Sequence, residues 1–307
     1  MGDFSAQDLL AIGAMQGFAG LSFFSVLLLM ALGLANIDGQ MRDIKLAQGE
    51  FMVIGAYTTY MLSGLVSSHA PWATEFYIFL AIPASFLTAF LFGLFIEMVM
   101  IRHLYHRPLD TLLATWGRAL IMQQIFRSTF GAREVSVSLP DWLQGSWRPT
   151  MMIDIPISGL SIMVLTLFVT VGVLWFMYRS RWGLRVRCTM ASREMSGAVG
   201  INTKWVDRIT FAVGCGIAGI AGAAFTTISS TGPTSGTLYI VDTFLVVVFG
   251  GAGSIMGTVA SSFVIAQGQS LLEFFIGSSM AKVTTLLTII VILMIRPQGL
   301  FASKVRR

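Results

Sequence analysis

Five ionisable side chains stand inside or beside long apolar runs of this sequence: Glu50, Glu97, Arg118, Asp242 and Glu273. A charge placed in lipid is costly unless it faces protein or water, so such residues mark pathways or buried pairs. Arg118 lies deepest, about eight residues into its run, or roughly 12 Å at the helical rise. Lining a passage and pairing with a buried partner are equally open readings of it. Glu97 and Asp242 fall near run ends, where snorkelling or solvation at the interface is the plain reading.

Other chemistries find little support. Gly214-Cys215-Gly216-Ile217-Ala218-Gly219 matches G-x-G-x-x-G. A dinucleotide site needs a strand before that motif and an acidic residue about 20 positions after it. Here the motif sits inside an apolar run, and Gly216, Gly219, Gly222 and Ala223 recur at helical spacing, which suits close helix packing in lipid. No lysine follows a glycine, so there is no P-loop. Any ATP-driven step needs another subunit; otherwise an ion gradient is the energy source. Cys188 and Cys215 form no C-x-x-C pair and no metal set with His69, His103 and His106. No paired carboxylates and no nucleophile with its base stand out, so an enzyme reading lacks a site.

The elements that carry these residues are apolar. Of 307 residues, 55% are hydrophobic and 11% charged. A soluble domain has roughly 25% charged residues, so lipid must be the main solvent here. Nine hydrophobic segments stand out, near 9–35, 46–66, 77–101, 110–130, 157–178, 206–228, 237–251, 255–276 and 280–296. About 20 apolar residues cross a bilayer core. The seventh segment is short and ends in Gly250-Gly251-Ala252-Gly253-Ser254, which suggests a broken or re-entrant helix and a count of eight or nine spans. The expectation is one all-α polytopic domain over 1–307, with an internal repeat.

Charge orients this bundle. The stretch 179–208, the C-terminus, Arg102 with Arg107, and Arg42 with Lys45 together hold 15 of the 20 bases. The positive-inside rule places all four in the cytoplasm. The same count explains the basic balance without nucleic acid. Alternation then puts the N-terminus outside and the C-terminus inside. Asp3 and Asp8, with no base, do not make a secretory leader, so the first run is expected to be a retained span. Residues 131–156, with Pro140, Trp142, Trp147, Pro149 and Pro156, read as an external loop. Residues 179–208 read as a cytoplasmic loop with its own short helix, Ser192 capping its start and Gly200 its end. A surface helix tied to two spans passes motion into the membrane; a solvated loop is the bland alternative.

Four segments together resemble the permease subunits of ABC importers for branched-chain amino acids and urea. They are Gln48-Gly49-Glu50-Phe51-Met52 with Gly55-Ala56-Tyr57; Gly200-Ile201-Asn202 with Asp207-Arg208-Ile209-Thr210-Phe211-Ala212; Gly250 to Thr258; and Arg296-Pro297-Gln298-Gly299-Leu300-Phe301. The resemblance covers nearly the whole chain. Arg107-Pro108-Leu109-Asp110-Thr111-Leu112-Leu113-Ala114-Thr115-Trp116-Gly117 and Tyr239-Ile240-Val241-Asp242-Thr243-Phe244 are most similar to the urea-type branch.

That resemblance implies a subunit of the bacterial inner membrane that moves urea or short-chain amides inward by alternating access. Branched-chain amino acid import and a passive urea or amide channel are the alternatives. It implies no cofactor in this chain, with ATP and Mg held by partners. Those partners are a second related permease, two ATP-binding subunits and a periplasmic substrate-binding protein. Arg193, Glu194, Met195, Gly197, Gly200 and Ile201 fall where such permeases dock on an ATPase. A path for a small amide needs donors and acceptors beside an apolar or aromatic wall. Gln48, Glu50, Thr115, Trp116, Arg118, Thr231 and Ser235 are the candidates, and helix packing is the bland reading for the Thr, Ser and Trp among them. The chain departs from the pattern at Gln48, where His is frequent, at Lys45, at the polar cluster Asp38, Arg42 and Asp43, and at Arg118.

Overall fold

The computed structural model describes residues 6–41, 48–69, 74–101, 108–150, 153–251, 254–296 and 299. The polar cluster of 38–45 falls outside the side chains described. The helices are α1 (Ala6–Met41), α2 (Gln48–His69), α3 (Tyr77–Ile96), α4 (Pro108–Phe130), α5 (Asp141–Gln144), α6 (Ile157–Arg179), α7 (Arg181–Ala191), α8 (Arg193–Ala198), α9 (Thr203–Phe225), α10 (Ser235–Gly250), α11 (Ile255–Ile276) and α12 (Ser278–Ile295). Two short strands, β1 (Ser146–Thr150) and β2 (Ile153–Pro156), form an antiparallel hairpin. This is an all-α polytopic bundle.

Seven helices are long and apolar enough to cross a membrane: Gly13–Ile37 within α1, α2, Tyr77–Met100, α6, α9, α11 and α12. Both remaining segments of the nine read from sequence are helical. α10 has 16 residues, about 24 Å, short of a core roughly 30 Å thick. α4 is long enough, but Arg118, Gln123, Gln124 and Arg127 make it more polar than the other spans.

α9 is the central post. From Thr210 to Phe225 almost every residue is buried, against α1, α2 and α3. Its small residues permit this, because a helix with glycine on its face lets a neighbour's backbone approach. A Cβ at Gly214 would lie 2.6 Å from the Gly33 carbonyl oxygen of α1. Gly55 of α2 meets the Gly219 carbonyl in the same way, and Gly49 meets that of Gly236 in α10. α1 contributes the other half of the core, with Leu27 to Leu32 all at 2% exposure or less. α3, α4, α6 and α12 turn apolar residues outward, among them Phe79, Leu113, Phe168 and Met294. Such faces suit lipid or apolar partner subunits.

The stretch 131–156 is more ordered than a plain loop. It contains α5 and the hairpin, and Val135 pairs with Thr231 in an isolated antiparallel bridge. The strands are too short, and too rich in Trp and Pro, to give a period-two signal. Residues 179–208 hold two short helices, α7 and α8, where the sequence suggests one.

Candidate translocation and coupling site

The start of α2 gathers polar residues inside the bundle. Gln48 is 2% exposed, and its amide donates to the Gly214 carbonyl of α9 at 3.0 Å. Beside it, Gly49 lies against Gly236, which brings the start of α10 onto the start of α2. Ser235 adjoins that contact, and its Oγ accepts from the Gly232 N–H at 2.9 Å. Thr231, 1% exposed, sits in the bridge to Val135. The structure therefore sets Gln48, Glu50 and Ser235 around the start of α2, with Gln48 turned to α9 and Glu50 to α4.

Glu50 faces α4. It is 3% exposed, and its Oε1 accepts from Gln123 Nε2 at 2.9 Å. The Arg118 guanidinium lies over the Phe51 ring, 5.0 Å from its centroid, and interacts electrostatically with Glu50. Arg118 is thus both buried and partnered. Thr115 is fully buried on α4, whereas Trp116 is 57% exposed and turned to the outside of the bundle. Consecutive helical residues point about 100° apart, so these two cannot share a face. Gln123 was not among the candidates read from sequence, and Tyr57 entered only as part of a family-like segment, with no site role. The signal for Tyr57 was its spacing: it stands seven residues after Glu50 and so shares its face of α2.

Two other ionisable residues of the spans, Glu97 and Asp242, are paired, which corrects their reading as solvated ends. Glu97, 2% exposed, begins a wider π turn that continues α3 to Ile101, and its Oε2 accepts from Arg208 Nε at 2.6 Å. Asp242 Oδ2 forms an ion pair with Lys282 Nζ of α12 at 3.0 Å, and Lys282 Nζ donates to the Leu238 carbonyl. Glu273 is exposed beside a cavity of about 530 Å³ lined also by Gln16, Gln269 and Ser270.

Short capped helices build the segment after α6. Ser180 Oγ accepts from the Gly183 N–H and starts α7; Ser192 Oγ accepts from the Met195 N–H and starts α8. Gly200, at φ +89°, reverses the chain in a left-handed conformation that favours glycine. Asn202 Oδ1 accepts from the Trp205 N–H and starts α9. Arg193 donates to the Asp207 carboxylate at 2.5 Å, so its guanidinium is turned inward onto α9. Glu194, Met195 and Gly197 are exposed; Ile201 is half-buried beside Met177, Val186 and Val206.

Residues 17–295 match the family profile described as the permease component of branched-chain amino acid transport systems. The chain belongs to this family. It is 25% identical over 298 residues to the high-affinity branched-chain amino acid transport system permease protein LivH of Salmonella typhimurium, covering 93% of this chain and 94% of that one. BraD of Pseudomonas aeruginosa, of the same description, is 26% identical over 290 residues, covering 92% and 93%. The probable LivH protein of Methanocaldococcus jannaschii is 23% identical over 296 residues, covering 91% and 89%. No solved structure matches. As a member of this permease family the chain is a multi-pass transport subunit and not an enzyme. Membership implies ATP-binding partner subunits and a substrate-binding protein.

Proposed function

We propose that this permease forms the passage of an ABC importer for urea or short-chain amides and is driven through α8. The supporting observation is the Arg193–Asp207 bond, which fastens an exposed helix to the first turns of the most buried span. A push on Glu194, Met195 or Gly197 has a stiff route into α9. Two ATP-binding subunits press on this side, a second related permease completes the passage, and a binding protein delivers solute at the face carrying 131–156. In this reading the N-terminus is periplasmic, 179–208 and the C-terminus are cytoplasmic, and Gln48, Glu50, Thr115, Arg118, Thr231 and Ser235 serve the path. Trp116, facing outward, serves the contact with the second permease.

Support for the amide solute comes from 107–117 and 239–244, whose residues resemble the urea-type branch. A second reading has its own support: the curated relatives are named for branched-chain amino acids. Uptake by membranes holding the full set of subunits separates the two, with labelled urea, acetamide and leucine offered in turn. ATP-dependent urea or acetamide uptake upholds the first reading, and leucine uptake alone replaces it with the second. Uptake by this chain without ATP or partners means a passive channel and overturns both. Gly197→Pro, which breaks α8, is expected to abolish ATP-driven uptake while the chain still inserts.

A further inference from the structure

α2 and α4 meet along a seam, and that seam holds polar atoms for which the described residues supply no hydrogen bond. Glu50 and Tyr57 share one face of α2; Gln123, Phe126 and Phe130 share the facing side of α4. Glu50 bonds Gln123, and the Tyr57 ring stacks on Phe126 and Phe130 at centroid distances of 4.9 and 4.4 Å. Val135 packs against the far end of the same cluster and pairs there with Thr231. Glu50 Oε2 and Tyr57 OH on this seam, and Thr231 Oγ1 at the bridge to Val135, are buried and have no hydrogen-bond partner among the described residues. Their residues are 3%, 2% and 1% exposed.

A buried polar atom left unpaired is unfavourable, and native proteins keep few of them. Two on this seam, walled by aromatic rings, and one at the bridge to Val135 call for a ligand that supplies the missing bonds. The carboxylate oxygen accepts, and the two hydroxyls accept or donate. Nitrogen-bound protons fit this set, and a carbonyl or carboxylate on the same solute takes the hydroxyl protons. We propose that the α2–α4 seam is a solute-binding step of the passage, where Glu50, Tyr57 and Thr231 receive the N–H groups of the cargo. This rests on the transport reading but not on the choice of solute. The amide protons of urea and the ammonium of an amino acid are two sources of the same chemistry.

The test uses the whole complex in proteoliposomes with its ATP-binding subunits and binding protein. KM for labelled urea and for leucine is measured in wild type, Glu50→Gln, Tyr57→Phe and Thr231→Val. Tyr57→Phe removes one oxygen and keeps the stacked ring, so it separates binding from folding. The carried solute should show KM raised about tenfold in Tyr57→Phe and Thr231→Val, and more in Glu50→Gln, where a charge-assisted bond is lost. A rise seen with urea identifies amide protons as the ligand; a rise seen with leucine identifies the ammonium. KM equal to wild type in both hydroxyl variants removes the seam from the path and leaves the transport reading standing. A wild-type complex that carries neither solute overturns both proposed solutes and, with them, the N–H-bearing cargo assigned to the seam.

Discussion

Arg193 of α8 donates to the carboxylate of Asp207 in α9, and Asp207 is 2% exposed while the Arg193 side chain is 47% exposed. The pair is exposed at its Arg193 end and buried at Asp207, so removing Arg193 takes a partner from a buried carboxylate. In the proposed coupling role it joins the surface helix to the central post. Arg193→Ala should therefore lower thermal stability modestly and lower the solute moved per ATP severalfold in the chain that remains folded. Parallel measurement of ATP hydrolysis and uptake in proteoliposomes checks this; unchanged coupling removes the pair from the route.

Arg208, the next residue, bonds in another direction, to Glu97 at the end of α3. Glu97 is buried and the Arg208 side chain is 20% exposed, so reversing one charge leaves a buried carboxylate facing another carboxylate. Arg208→Glu should cost about 3 kcal/mol, the low end for a broken buried pair. Glu97→Arg with Arg208→Glu should restore much of that loss. Thermal unfolding of the purified chain in detergent reads both, and a double variant no better than either single one argues against the pair.

Arg118→Leu tests the charge on α4. The variant loses the cation–π contact with Phe51 and the electrostatic partner of Glu50, while Gln123 still holds Glu50. Insertion and co-purification with partner subunits should survive, and the uptake rate should change. Wild-type uptake would make Arg118 a packing residue.

Cys188 is exposed on α7 and Cys215 is buried in α9. A membrane-impermeant maleimide should label Cys188 in inside-out vesicles and not in intact cells, and should leave Cys215 unmodified until the chain is unfolded. Labelling of intact cells would place 179–208 outside and overturn the coupling role.

Bundle class, the elements near their true ends, and the capped helix at 193–198 were legible because apolar runs, caps and glycines are local signals. Ser192 and Gly200 are read one helix at a time. Pairings are different in kind. Glu97 looked like a solvated end because its partner is not a sequence neighbour; Arg208 lies 111 residues away. Asp242 and Lys282 are likewise joined only by the fold of α10 against α12. Trp116 stood next to Thr115 in an attractive motif, yet the helix turn sends the two to different sides. The hairpin in 131–156 was hidden because its strands are brief and broken by proline. Tyr57 was read only as part of a motif, because a tyrosine in an apolar run does not tell whether its hydroxyl finds a partner.

Main chain touches main chain where Gly33 meets Gly214, Gly49 meets Gly236 and Gly55 meets Gly219. At each crossing the nearest atom facing the missing Cβ of Gly33, Gly49 or Gly55 is a backbone carbonyl oxygen, which cannot yield by rotating a side chain. A single added methyl at Gly55 acts as a wedge, and its displacement is felt along the full length of both rods. The interior thus behaves as a few inflexible beams welded at points, free to tilt as units but unable to flex individually. A side chain added at any of these three points meets a neighbouring carbonyl first, so the rods must part to admit it.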